Sequence, residues 1–181
     1  SQFNTISKFQ KMNNIKKTII LIPKENYKEE IEEGIKHSKI QSKRIYYYDS
    51  EPTKLTKQIE KITKYKIRKN NLKREIKKLE NSNEANKERK IENLKKRDTI
   101  GNISFDSVIV SDFDESLKSI ITSLLYTDVS PENIFFLTLN QWFDESLLKE
   151  KSFQPIYFPS INKENYNTFV NNYYEIFNEY P

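Results

Sequence analysis

Glycine is almost missing from this sequence: of 181 residues only Gly34 and Gly101 are glycine, against about 13 at average usage. They stand too far apart to share a phosphate loop, so neither a P-loop nor a G-x-G-x-x-G turn can be written. Cysteine is absent and histidine occurs once, at His37. That excludes thiol nucleophiles, disulfides, Cys/His zinc sites and every triad built on histidine. Any chemistry falls to carboxylates, lysines and hydroxyls, and no metal or cofactor is expected. Long apolar runs are missing too. The longest, Thr18-Ile19-Ile20-Leu21-Ile22, is far short of the ~18 residues that cross a bilayer, so no membrane span is expected.

Charge is plentiful but unevenly placed. The chain carries 31 Lys/Arg and 26 Asp/Glu, a net +5. Residues 53–97 alone hold 17 Lys/Arg and 6 Asp/Glu, a local +11, which leaves −6 for the rest. A Lys-, Asn- and Ile-rich composition is also what AT-rich coding produces, so the basic stretch reads first as a solvated helix face. Glu60, Glu75, Glu80, Glu84, Glu88 and Glu92 interrupt it, and it offers no defined base-reading element. No specific nucleic-acid partner is expected.

Short β-branched or aromatic runs at 18–22, 44–48, 105–110 and 134–139, with a shorter one at 156–158, suit strands buried on both faces. Amphipathic helical patterns lie between and after them: 25–39, with Tyr27, Ile31 and Ile35 on one face; 114–126, with Leu117, Ile120, Ile121, Leu124 and Leu125; and 162–178, with Tyr166, Phe169, Val170, Tyr173 and Phe177. The alternation predicts an α/β fold, a flavodoxin-like three-layer sandwich on a parallel sheet of order 2-1-3-4-5, as a single lobe over 1–181. The final helix, by this spacing, is expected to pack its aromatics into the core. Residues 53–97 read as a charged helical insert, interrupted near 65–71 and again at 81–83, carrying a thin apolar stripe.

In open α/β sheets, ligands bind outside the carboxyl ends of the strands. Three loops fall there: Lys24, Asn26 and Tyr27 after the first strand; Ser111, Asp112 and Phe113 after the third; Asn140, Gln141 and Trp142 after the fourth. They are the candidate binding rim, and none is expected to be catalytic. The pair Asp112 and Asp114 after an apolar strand is similar to the nucleophile motif of haloacid-dehalogenase-type phosphatases. That mechanism needs a further acidic pair for Mg²⁺, for which only Asp144-Glu145 is available, and Asp114 leads straight into a helix as a cap or first-turn acid. The phosphatase reading is the weakest.

The strand into Pro23 and Tyr27, the strand ending Tyr48-Asp49, the stretch FDSVIVSDFDESLKSIITSLLYTDVSPENIFFLTLNQWFDESLL at 105–148 and FQPIYFPS at 153–160 together resemble one lobe of a type 1 periplasmic binding protein. Within that superfamily the chain is most similar to the penicillin-binding protein activator lipoproteins. The resemblance implies a non-enzymatic binding and regulatory module of the bacterial cell envelope whose partner is a protein, a peptidoglycan synthase. It also implies a periplasmic location, with a lipid anchor to the outer membrane carried by an N-terminal segment outside this sequence. The alternative within the same superfamily is a solute-binding lobe for an amino acid or similar small molecule.

Overall fold

The structure, a computed structural model, describes residues 2–140, 145–160 and 162–181, with nothing given for the side chains of Glu145, Leu148 and Lys163. Five parallel strands, β1 (Thr18–Pro23), β2 (Arg44–Tyr48), β3 (Ser107–Val110), β4 (Phe135–Thr138) and β5 (Ile156–Tyr157), form one sheet in the order β2-β1-β3-β4-β5. This is the predicted flavodoxin-like sandwich in the predicted strand order. Every residue of β1 is buried. Its side chains alternate between the two layers, Ile19 and Leu21 into one and Ile20 and Ile22 into the other, which is why the run reads as continuously apolar.

The first layer is built on α3 (Pro52–Ile62) and α6 (Asp114–Tyr126), whose Leu55, Ile59, Leu117, Ile120, Ile121 and Leu124 are all at most 2% exposed. The second layer is built on α2 (Lys28–Lys36) and on α1 (Gln2–Met12). Helix α1 was not foreseen in the sequence. It buries Phe3, Ile6, Ser7 and Gln10, and its polar contacts fix its seat: Gln10 Nε2 donates to Thr18 Oγ1 at 2.7 Å and to the Gln41 carbonyl at 2.9 Å, and Ser7 Oγ donates to the Lys39 carbonyl at 2.8 Å. Gly34 on α2 lets the two helices approach. A Cβ there would stand 2.9 Å from a ring carbon of Phe3.

The stretch read as an insert divides in two. Helix α3 is the crossover between β2 and β3, started by Glu51, whose carboxylate accepts from Thr53 N at 3.1 Å, and by Pro52 at the first helical position. Its buried face belongs to the sheet. Helices α4 (Tyr65–Glu80) and α5 (Lys87–Lys95) form the added hairpin, and α5 has no buried residue. The break expected at 65–71 lies instead at 63–64, where Lys64 takes a left-handed φ of 54°. The apolar phase shifts because α3 and α4 bury different faces, and the elbow needs only one left-handed residue.

Arg68 pins α4 to the sandwich. Its guanidinium donates to the Thr127 carbonyl at 2.9 Å, to Thr99 Oγ1 at 2.7 Å and to the Asp128 carbonyl at 3.0 Å, with the Asp128 carboxylate 3.4 Å away.

A short helix α7 (Glu145–Lys149) follows β4, and α8 (Lys163–Phe177) closes the chain. The expectation that the α8 aromatics enter the core is corrected: none of the described side chains of α8 is buried, and Phe169, Ile176 and Phe177 are 51, 72 and 58% exposed. The layer that a final helix would cover is already occupied by α1, whose Phe9 ring lies 5.8 Å from Phe135 and 4.9 Å from Tyr157 of β5. Among the described residues no helix is long and apolar enough to cross a membrane.

Candidate binding rim

Because all five strands are parallel, their carboxyl ends share one edge, and the sequence-predicted loops follow from it. Strand β1 lies between β2 and β3. Its outgoing chain turns one way to α2 while β3's turns the other way to α6, which makes the β1/β3 boundary the topological switch point. At that boundary Ser111 N donates to the Leu21 carbonyl at 3.0 Å, and Lys24 N donates to the Tyr48 carbonyl at 3.1 Å. The ladder therefore continues one residue past each strand and ties three loop starts together.

Above it, Lys24, Asn26 and Tyr27 are exposed. Tyr27 holds a left-handed φ of 55° at the start of α2, and its ring meets Phe113 edge-on, with centroids 6.0 Å apart and planes at 87°. Asp114, the first residue of α6, is left-handed too, at φ 48°. It serves as a first-turn acid without a side-chain cap. Two non-glycine residues in this sparsely populated region, one on each side of the switch point, mark both loop exits as constrained by their surroundings.

Beneath exposed Tyr27 and half-buried Phe113 lies a buried polar pair. Asp112, 7% exposed, accepts a hydrogen bond from the Tyr48 hydroxyl on one carboxylate oxygen and one from Phe113 N at 2.9 Å on the other. Burial pushes the Asp112 carboxyl above the ordinary carboxylate range. The two donors pull against that, and the charge of Asp114 adds to it. Burial, followed by the bond to Asp112, pushes the Tyr48 phenol well above its ordinary value. The neighbouring Ser111 Oγ is buried and has no hydrogen-bond partner among the described residues. Thr138, at the end of β4, donates its hydroxyl to the Val110 carbonyl at 2.9 Å, which closes the sheet here.

Of the predicted rim, the structure brings Lys24, Asn26, Tyr27, Ser111, Asp112 and Phe113 to the switch point. Asn140 follows β4 on the same edge, where its N–H is bonded at 2.8 Å to Gln2 Oε1 of α1. Gln141 and Trp142 lie outside the described residues, as does Asp144. Tyr48 was missed: as the third of three consecutive tyrosines it reads as strand packing. The available signal is its place as the last residue of β2, in register with Pro23.

His37 is exposed at the end of α2, 3.8 Å from Glu33. Among the described residues no group of three or more acidic or histidine side chains can hold a metal ion. A polar hollow of about 970 Å³ lies at the opposite, amino edge of the sheet. Two of its carboxylates are already engaged, Asp106 by Lys16 N and Lys17 N and Asp128 by Thr99 and Arg68. Comparison of the chain with family models, with curated proteins and with solved structures gives no match.

Proposed function

We propose that this chain is a non-enzymatic binding lobe of the cell envelope, a regulatory module of the kind that activates peptidoglycan synthases, and that it meets its protein partner through the carboxyl rim. One observation carries the reading. At the switch point exposed Tyr27 stands against half-buried Phe113, flanked by Lys24 and Asn26, while the buried carboxyl below, Asp112, is closed off by Tyr48. An exposed aromatic ring among polar neighbours, above a carboxyl that is already hydrogen-bonded, suits a protein contact. A nucleophile would need access that this carboxyl lacks.

The test is interferometry of the chain against the soluble region of a bifunctional peptidoglycan synthase, with the glycan polymerisation rate read in parallel. Binding that weakens at least about tenfold in Tyr27→Ala/Lys24→Glu, with loss of any stimulation, supports the proposal; hot-spot truncations of this type cost about 2 kcal/mol or more. No binding and no change in rate overturns it.

The buried, unpartnered Ser111 hydroxyl favours a second reading, a solute-binding lobe, since a buried polar group without a partner is costly. Calorimetric titration with free amino acids separates the two readings. Saturable heat that is lost in Ser111→Ala moves the function to solute binding.

A further inference from the structure

The angle between α3 and α4 holds a concentration of charge that the fold does not use. A hollow of about 770 Å³ lies there, lined by one face of α3, by Lys64 at the left-handed elbow and by the first turn of α4. Lys57 and Lys61 stand one turn apart on that face of α3, about 6 Å along its axis, and both are exposed, as is Lys64. Ile67 of α4 lines the same hollow and is 59% exposed.

Some lysines of this segment are neutralised locally. Lys54, also on α3, lies 3.4 Å from Asp49 and 3.6 Å from Glu51, and Lys96 lies 3.2 Å from Glu92. In the hollow itself Lys66 is paired too, 3.7 Å from Glu60. Among the described residues, Lys57, Lys61 and Lys64 are in no ion pair. A cleft lined by one sign of charge focuses its field, so these three ammonium groups act together on whatever enters. We propose that the hollow is a second interaction surface, independent of the rim, and that it docks an acidic peptide segment of a partner protein. Carboxylates one helical turn apart on the segment meet the lysines, and an apolar side chain beside them meets Ile67.

The lining separates this occupant from other polyanions. Among the described residues it contains no arginine, whose fork grips phosphate bidentately, and no aromatic ring on which a base could stack. A polynucleotide would find point charges alone. A flat bilayer does not fit the concave angle between two helices, and Ile67 by itself is no apolar face to insert. Peptide side chains do enter such a space. Its wall includes Ile67, the methyl groups of Thr53 and Thr56 and the lysine stems, which favours a mixed acidic and apolar segment over a purely charged one.

The test is fluorescence anisotropy of the full chain, at near-physiological salt, with a labelled two-heptad peptide that sets glutamates one turn apart beside a leucine stripe. The expected result is saturable binding that weakens at least about tenfold in Lys57→Glu/Lys61→Glu and at least about threefold in Ile67→Ser. Lys73→Glu/Lys77→Glu makes the same change in net charge at exposed positions of α4 outside the hollow, and binds like the parent. All five substituted side chains are exposed, so each variant keeps the parent's cooperative thermal transition and loss of binding is not loss of the fold. Absence of saturable binding overturns the proposal, as does equal weakening in the two lysine variants, which would leave only the diffuse field of the segment. A glutamate/serine peptide of equal charge that binds as tightly as the leucine peptide also overturns it. So does tighter binding, at that salt, of a single-stranded oligonucleotide of equal charge or of anionic lipid vesicles, which would assign the hollow to nucleic acid or to lipid.

Discussion

Asp112 and Tyr48 make the sharpest residue-level expectation. The native carboxyl keeps its proton to higher pH than the same group in the unfolded chain, because burial disfavours its charge. Over that interval the native state binds more protons. The contribution is fully present below the unfolded pKa, about 3.9, and is lost as pH rises through the native value. Asp112→Asn keeps an acceptor for the Tyr48 hydroxyl and removes the titration, so its stability falls less steeply with pH. Urea midpoints between about pH 4 and pH 8 check this; a parent slope no steeper than the variant's refutes it. Tyr48→Phe removes a donor from a buried acceptor and should cost about 1–2 kcal/mol, read from the same midpoints at one pH. The same variants test the phosphatase alternative, since Mg²⁺-dependent hydrolysis of a model phosphoester that vanishes in Asp112→Asn would make that residue a nucleophile.

At the scale of elements, α3 and the α4–α5 hairpin look alike in composition and differ in burial. Ile59 on α3 is 0% exposed, and Ile59→Ala should destabilise by about 2–4 kcal/mol. Leu94 on α5 is only partly buried, and Leu94→Ala should cost under about 1 kcal/mol. Deleting 72–94 and joining the ends with a short Gly/Ser linker, with Arg68 and its partners retained, should leave one cooperative thermal transition, since loop closure depends only weakly on length. A non-cooperative product would place the hairpin in the core.

The same contrast explains what the sequence could tell. Strands such as Thr18–Pro23 were legible because burial on both faces leaves an unbroken apolar run. Helix α6 was legible at both ends because its stripe is wide and its first turn acidic. Helix α1 was not, because Phe3, Ile6 and Phe9 are few among polar residues, and its stability rests on Gln10 and Ser7 reaching backbone carbonyls far along the chain. Helix α8 shows the converse: 3.6-residue spacing reports that a face is apolar and says nothing of what covers it. At the rim, Lys24, Tyr27 and Asp112 followed from strand ends alone, whereas the Tyr48 contact depends on β2 lying beside β1.

For the whole molecule, the concentration of positive charge on residues 53–97 makes a simple electrostatic prediction. Oligonucleotide binding, duplex or single-stranded, should be non-specific and weaken steeply with salt through counterion release. Sequence-selective, sub-micromolar binding that persists at near-physiological salt would make the hairpin a nucleic-acid element. The hairpin also bears on the order in which the chain is made. Thr18 and Ser107, whose hydroxyls meet across β1 and β3, are 89 residues apart. At bacterial and eukaryotic synthesis rates of about 5–20 residues per second, β1 therefore emerges roughly 4–18 s before its second neighbour exists. During that wait only β2, α1, α2 and α3 are available to shelter it, and one whole strand edge stays open to pairing with other nascent chains. What leaves the ribosome in the interval is the charge-dense α4–α5 segment. The like charges of that segment repel those of a neighbouring nascent chain, which opposes pairing of two half-made sheets until β3 arrives to close the edge.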